Sequence, residues 1–218
     1  MPARLVNAAS LLPDNPCSPG AAAMFIGDQL FIPGSDEVRV EVNGQAVPVF
    51  SASTSRVVFE CPDLSAGTSL SVVLMSGSQR LQMLDTQMHE ASPGIFTING
   101  DGTGAGVILA NETVGSTTGY NENVAGSPVQ ESPIVSLLVT GIGQSFGFVT
   151  DTVAQLVSVT VDGLAAEVMS TQAIGSGVYQ LDVRTPRYAR TRGAVVHVEI
   201  PLSDGKLLRS NGVEVTVE

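Results

Sequence analysis

Tryptophan is absent from this chain of 218 residues, and lysine occurs only once, at Lys206. Charged residues make up 14% of the chain and aromatic residues 5%, whereas 43% of the residues are hydrophobic. So few charges exclude a coiled coil and a disordered acidic segment. No apolar run approaches the roughly 18 to 20 residues that are needed to span a bilayer. The chain is therefore expected to bury a core of its own, as one large or two small domains.

Positive charge is scarce, because 10 basic residues face 21 acidic ones and the net charge is -11. A surface of this sign repels phosphate groups, which excludes nucleic acid as a partner. Four of the basic residues nevertheless fall close together in a segment that we call the Arg loop (residues 184–192). Its candidate partner-binding residues are Arg184, Arg187, Tyr188, Arg190 and Arg192.

Guanidinium groups bind carboxylates in a bidentate geometry, so the Arg loop suits an acidic protein surface. The first half of the chain itself offers such carboxylates, at Asp28, Asp36 and Glu37. A head-to-tail contact of this kind would propagate into a filament unless the rotation closed a ring. The alternative is a solvated loop whose surface ion pairs each contribute little.

A helical period is missing as well, and the dominant pattern is an alternation of apolar and polar residues. Each alternating run is about five to seven residues long, as expected for half-buried strands. The clearest runs are Val38–Val42, Val57–Cys61, Leu70–Leu74, Val157–Val161, Val196–Ile200 and Val213–Val217. Tight-hairpin dipeptides follow or separate them, at Asn43-Gly44, Asp162-Gly163, Asp204-Gly205 and Asn211-Gly212. This pattern predicts an all-β chain of sandwich type.

The second half of the chain repeats the order of the first. The run that ends in Asn43-Gly44 matches the run that ends in Asp162-Gly163, and Ser18-Pro19 matches Ser132-Pro133. We therefore predict two tandem Ig-like β-sandwich domains, residues 1–91 and 92–218. The second domain would carry a long surface loop around residues 111–130.

Several motifs together resemble a known family. In order along the chain they are Leu5–Ser10, Ser18–Gly20, Ala91–Thr97, Gly102–Gly104, Thr140–Gly143, Val178–Pro186 and Ser210-Asn211. They resemble a repeated C-terminal domain of secreted acidobacterial proteins, and each half resembles the IPT/TIG type of Ig-like domain. The resemblance implies a secreted or cell-surface module. The start of the chain lacks the long apolar core of a signal peptide, so we expect either a cytosolic chain or a mature or excised segment of a longer secreted protein. The resemblance implies no catalytic residue and no cofactor, and the chain departs from the family in its two cysteines and its 111–130 stretch.

Cys17 and Cys61 are the only cysteines. In an oxidising compartment a bond between them would close a loop of about 45 residues and stabilise the fold by roughly 3–4 kcal/mol. The alternative is a pair of buried thiols that act as small hydrophobic side chains.

Candidate catalytic and metal-binding groups are few. His89 and His197 are the only histidines, and no Gly-x-Ser-x-Gly elbow or Cys-x-x-Cys pair accompanies them. A weak calcium-loop candidate comprises Asn99, Asp101 and Thr103. It lacks the closing bidentate glutamate, which favours a glycine-rich turn instead. We therefore expect no enzyme activity, no metal and no cofactor.

The leading hypothesis is a non-catalytic extracellular or cell-surface module that mediates protein–protein contact, adhesion or self-assembly. The partner would be a protein, including a second copy bound head-to-tail or by strand addition, as in a fibre. The alternative hypothesis is a carbohydrate-binding module with a glycan as partner. Sugar rings stack on exposed aromatic side chains, and here only Tyr120, Tyr179 and Tyr188 are tyrosines.

Overall fold

A computed structural model describes residues 2–31, 37–107, 133–143, 157–175, 177–186 and 193–216. The predicted 111–130 loop lies outside these residues, as does most of the Arg loop. Within the described residues the chain forms strands and no helix, which confirms the all-β prediction. It follows that none of these residues belongs to a helix long and apolar enough to cross a membrane.

The strands of the N-terminal half (residues 2–88) form two antiparallel sheets. Their bounds are β1 Arg4–Asn7, β2 Ala22–Ile26, β3 Val38–Val42, β4 Gln45–Val47, β5 Val49–Ala52, β6 Arg56–Glu60, β7 Ser69–Ser76 and β8 Gln79–Gln87. One sheet has the order β1-β2-β6-β5 and the other the order β4-β3-β7-β8. Alternate residues of both sheets meet in one buried cluster, in which the Phe25 and Phe59 rings lie 5.7 Å apart. This is the sandwich that the alternation predicts.

The strands of the C-terminal half (residues 91–216) repeat this order of pairing. Their bounds are β9 Gly94–Ile95, β10 Ile134–Thr140, β11 Ser158–Val161, β12 Leu164–Gly175, β13 Val178–Arg184, β14 Ala194–Pro201, β15 Leu207–Arg209 and β16 Val213–Val215. The path β9-β10-β13-β12 corresponds to β1-β2-β6-β5, and β12-β11-β14-β15 corresponds to β4-β3-β7-β8. A second buried cluster, from Ala91 to Val215, lies between these layers.

The halves differ where the chain passes from one layer to the other. In the N-terminal half Pro48 separates β4 from β5, because proline has no N–H to donate to a sheet. In the C-terminal half the single strand β12 serves both layers: it pairs with β11 up to Ala166 and with β13 from Glu167, and a register shift between Val168 and Ser170 follows the change. Such an irregularity bends a strand and lets it leave one sheet for the next.

Two of the four predicted hairpin dipeptides form the expected tight turn. Asn43 and Gly44 have φ of 52° and 79°, and Asp162 and Gly163 have φ of 51° and 79°. Positive φ at both central residues defines the turn that matches strand twist. The Asp204-Gly205 dipeptide also joins two paired strands, β14 and β15, but through the longer loop 202–206.

The hairpin prediction at Asn211-Gly212 is wrong. Strands β15 and β16 both pair with β14, along the same edge and in the same direction. The dipeptide therefore continues along that edge without reversing the chain. Its asparagine side chain makes tertiary contacts instead, which are described below.

Candidate functional site: the junction between the halves

Of the Arg loop the structure describes residues 184–186, which include only the first of its four arginines. Arg184 on β13 forms an ion pair with Glu167 on β12 at 2.9 Å, and the two side chains are 43% and 62% exposed. A pair this exposed contributes little to stability. Arg187, Tyr188, Arg190 and Arg192 lie outside the described residues, so their partner-binding role stays a prediction. The same holds for Asp36, whereas Asp28 and Glu37 are both exposed.

The calcium-loop candidate is a turn held by its own side chains. The Asp101 carboxylate accepts hydrogen bonds from the Thr103 backbone N–H at 2.9 Å and from Thr97 Oγ1 at 3.4 Å. The bond from the Thr103 N–H is the main cause that lowers the pKa of Asp101. Within the described ranges no three His, Cys, Asp or Glu side chains are grouped as they would be around a metal ion.

Tyr179 is not a free stacking platform. It is half-buried against the C-terminal core, and burial together with the negative charge of Glu60 raises its pKa. Tyr120 and Tyr188 lie outside the described residues. The influence of Glu60 on this pKa matters for another reason, because Glu60 belongs to the N-terminal half.

The linker 88–92 joins the two halves and is bound on its N-terminal side by the segment between β1 and β2. The His89 backbone N–H donates to the Cys17 carbonyl at 2.9 Å. The Asn15 side-chain amide donates to the Ala91 carbonyl at 2.8 Å. These bonds fix the linker to the N-terminal half.

The same linker is bound equally closely by the C-terminal half. The Ser92 N–H donates to the Gly141 carbonyl at 2.7 Å. Glu90 accepts hydrogen bonds from the backbone N–H and the hydroxyl of Ser203, both at 2.7 Å. The linker is thus hydrogen-bonded to residues of both halves, as a turn inside a single domain would be. Segments that connect independent domains are ordinarily exposed and cross few contacts.

Asn7 is the central polar side chain of the junction. It is 1% exposed, and its Oδ1 accepts from the N–H groups of Ala9 and Ser10, at 2.9 and 3.0 Å. Its Nδ2 donates to the Ser92 carbonyl at 2.7 Å. A buried amide is tolerated only when such partners replace water. One side chain thus shapes the turn after β1 and holds the linker.

Three glycines of the C-terminal half permit the close approach of the two backbones. A Cβ at Gly94 would overlap Asn7 Oδ1, one at Gly102 would overlap the Ser10 carbonyl, and one at Gly177 would overlap the Gly20 carbonyl. Gly102 and Gly177 also have positive φ, of 78° and 70°. Any other residue at these positions would therefore push the halves apart.

The loop 97–106 lies between the halves. Arg56 Nη1 of the N-terminal half donates to the Gly100 carbonyl at 3.1 Å. On the other side Asn211 Nδ2 donates to the carbonyls of Ile95 and Gly102, both at 2.9 Å, and its Oδ1 accepts from the Ile95 N–H. The Asn211 side chain therefore makes tertiary hydrogen bonds, where the sequence predicts a hairpin turn.

The outer face of the sheet β1-β2-β6 is also buried at the junction. Alternation places Val6, Ala22 and Met24 on the face opposite the core, yet they are only 0%, 1% and 3% exposed. Arg56 and Glu60 share this face: Arg56 donates to the Gly100 carbonyl, and the charge of Glu60 adds to burial in raising the pKa of Tyr179. This face thus has little solvent exposure at the junction, where the Ala22 N–H also donates to Thr140 Oγ1 of the C-terminal half.

Sequence reasoning did not find this site, although the signal was present. Most of the motifs that carry the family resemblance supply residues to the junction: Asn7, Ser10, Ser18, Gly20, Ser92, Gly94, Gly102, Thr140, Gly141, Tyr179 and Asn211. Their asparagine, serine and glycine content is that of turns. What joins them into one site is contact between residues far apart in the sequence, such as Asn7 and Ser92 over 85 positions, which no local pattern encodes.

No protein-family model and no characterised protein matches the chain. Among solved structures, it is similar to domains 5 and 6 of the S-layer protein SbsC, with 12% identity and a TM-score of 0.39, over 99% of this chain and 98% of that one. It is also similar to the Bacteroides ovatus glucan-utilisation protein SGBP-B, at 12% identity and TM-score 0.38, over 93% of this chain. A third similarity is to the Escherichia coli adhesin FdeC, at 12% identity and TM-score 0.27, over 99% of this chain and 62% of that one. The chain spans only 44% of SGBP-B.

Replacing Asn7 by alanine should lower the free energy of unfolding by about 2–4 kcal/mol, because it removes three buried hydrogen bonds at once. Asn211→Ala, which removes three bonds within the C-terminal half, serves as the matched control. Hydrogen exchange should show faster exchange at the Ser92 N–H in Asn7→Ala than in the control. Equal exchange at Ser92 in both variants would contradict a role of Asn7 in holding the linker.

Acid should weaken the junction through His89. Burial lowers the pKa of His89 below the ordinary value of 6.5, so the unfolded chain binds this proton more readily than the folded one. The free energy of unfolding should therefore decrease as the pH falls below about 6.5 and level off under the lower folded pKa. In His89→Gln this part of the pH dependence should vanish in urea titrations, whereas His197→Gln should retain it.

Proposed function

We propose that this chain is a non-catalytic module of an extracellular or cell-surface protein and acts through protein–protein contact, as in adhesion, spacing or self-assembly. The observation that carries the proposal is the bonding of the linker 88–92 to both halves. Two sandwiches in tandem ordinarily move relative to each other. A joint that holds them at a fixed angle presents both surfaces to a partner without an ordering cost on binding.

The Cys17–Cys61 disulfide supports the extracellular part of this proposal. The two Cα atoms are 5.8 Å apart and the sulfur atoms are bonded. Disulfides persist in oxidising compartments and are rare where thiols are kept reduced.

The open sheet edges bear on how a second copy would bind. Both terminal strands, β1 and β16, already pair within the chain, and β16 also bridges Ala105. Strand β8 likewise pairs on one side only within the described residues, with β7, along its nine residues Gln79–Gln87. An irregularity between Leu74 and Met75 twists this edge, which is a common protection against uncontrolled pairing. Strand β8 is nevertheless the longest of these edges and would offer a second copy the most backbone for strand addition.

Sedimentation velocity and electron microscopy of the purified chain test the proposal. Self-association that weakens in high salt, and in the Arg187→Ala/Arg190→Ala/Arg192→Ala variant, would support head-to-tail contact through the Arg loop. Association that responds to neither salt nor mutation would exclude the Arg loop as the contact. A monomer that binds oligosaccharides on a glycan array, with no protein contact, would favour the carbohydrate-binding hypothesis.

A further inference from the structure

The segment between β1 and β2 connects the disulfide to the linker. Asn15, Cys17 and Ser18 each make one hydrogen bond to the linker 88–92, at distances of 2.8 to 2.9 Å. Cys17 lies in the middle of this group and is fully buried. The disulfide therefore restrains the part of the N-terminal half that holds the linker.

Cys61 provides a rigid anchor for the other end of the bond. It follows directly after β6, its N–H donates to the Ala21 carbonyl at 2.8 Å, and its carbonyl accepts from the Gly20 N–H at 3.1 Å. On the same strand, Arg56 Nη1 donates to the Gly100 carbonyl of the C-terminal half at 3.1 Å. The bond thus ties the linker-holding segment to a strand that itself contacts the second half.

We propose that this disulfide controls the stiffness of the joint between the halves and that its reduction turns a fixed joint into a hinge. In the reduction a dithiol supplies two electrons and two protons, the sulfur–sulfur bond breaks to give two thiols, and the dithiol becomes a disulfide. The segment then keeps its hydrogen bonds to the linker but loses its covalent tie to β6. The inference concerns the angle between the halves and is independent of the proposed function.

Distance measurements between the halves test this inference. Spin labels are placed on the exposed positions Gln45 and Gln172, through a noncanonical amino acid that leaves the cysteines untouched. The disulfide-bonded chain should give one narrow distance distribution. The Cys17→Ala/Cys61→Ala variant lacks the disulfide, so no reductant has to reach the buried sulfur atoms. Its distribution of distances between the two labels should be at least twofold broader. Reduced wild type should match the variant.

Val72→Ala is the matched control, because it opens a cavity in the same N-terminal core but on β7, away from the segment between β1 and β2. It should leave the distribution narrow. Equal broadening in Val72→Ala would assign the effect to general destabilisation and overturn the proposal. An unchanged distribution in the disulfide-free variant would also overturn it. So would loss of its strand signal in circular dichroism, because the bond would then be required for the fold and not for the joint.

Discussion

Gly177→Ala should lower the free energy of unfolding by about 3 kcal/mol. Part of the loss, about 1–2 kcal/mol, is the cost of a side chain at positive φ. The rest arises because the new Cβ would overlap the Gly20 carbonyl across the junction. The measurement is urea denaturation of the purified variant.

Gly205→Ala is the matched control for this prediction. Gly205 has a similar φ of 81°, but a Cβ there meets no atom within 4 Å. The control shares the cost of positive φ and lacks the overlap, so the difference between the variants isolates the junction. The Ala22 N–H, which donates to Thr140 Oγ1 at 2.8 Å, should exchange faster in Gly177→Ala only, because the Thr140 hydroxyl in turn donates to the Gly177 carbonyl. An equal decrease in the free energy of unfolding in both variants would show that the close approach of the two backbones at Gly177 does not contribute to stability.

Removing the disulfide should have the second large effect. Its cysteines are separated by 44 positions, and closure of a loop of this size stabilises the folded state by roughly 4 kcal/mol in the chain-entropy account. Cys17→Ala/Cys61→Ala should therefore lose about this amount in denaturant titrations. The dependence on denaturant should also steepen, because an unfolded chain without the cross-link exposes more surface.

Two measurements on the wild-type chain serve as controls for this second prediction. Unfolding under non-reducing conditions should release no free thiol, and wild type with a dithiol reductant should unfold at the midpoint of the variant. Two reactive thiols after unfolding would mean that the alternative of buried, unbonded cysteines is correct. A variant as stable as the oxidised wild type would contradict the entropy argument.

Local signals in the sequence were sufficient for the strands and for the turns that connect neighbours. The alternation around Val40 and Val159 assigns those residues to the core, and both are buried. The dipeptides Asn43-Gly44 and Asp162-Gly163 form tight turns because each residue tolerates positive φ wherever it stands. These properties depend on the residues themselves and their immediate neighbours, so they can be predicted from the sequence.

The same dipeptide rule failed at Asn211-Gly212 because a competing interaction was invisible in the sequence. An asparagine amide can complete a local turn or satisfy distant backbone groups, and here Ile95 and Gly102 supply those groups from more than 100 positions away. Val6 and Met24 illustrate the same limit for burial. Their alternation places them on the outer face, which is ordinarily solvated, but both are buried.

The shortage of charge, the absence of helical period and the apolar alternation determined by themselves that this chain is an all-β protein with a packed core. The sequence also gives the positions of the two cysteines and of the motifs that are rich in asparagine, serine and glycine. Only the tertiary structure decided that these motifs meet, as Asn7 does with Ser92 over 85 positions and Ala22 with Thr140 over 118. The physical reason is that strand formation depends on neighbouring residues, whereas the joint depends on close packing between surfaces that exist only after both halves have folded.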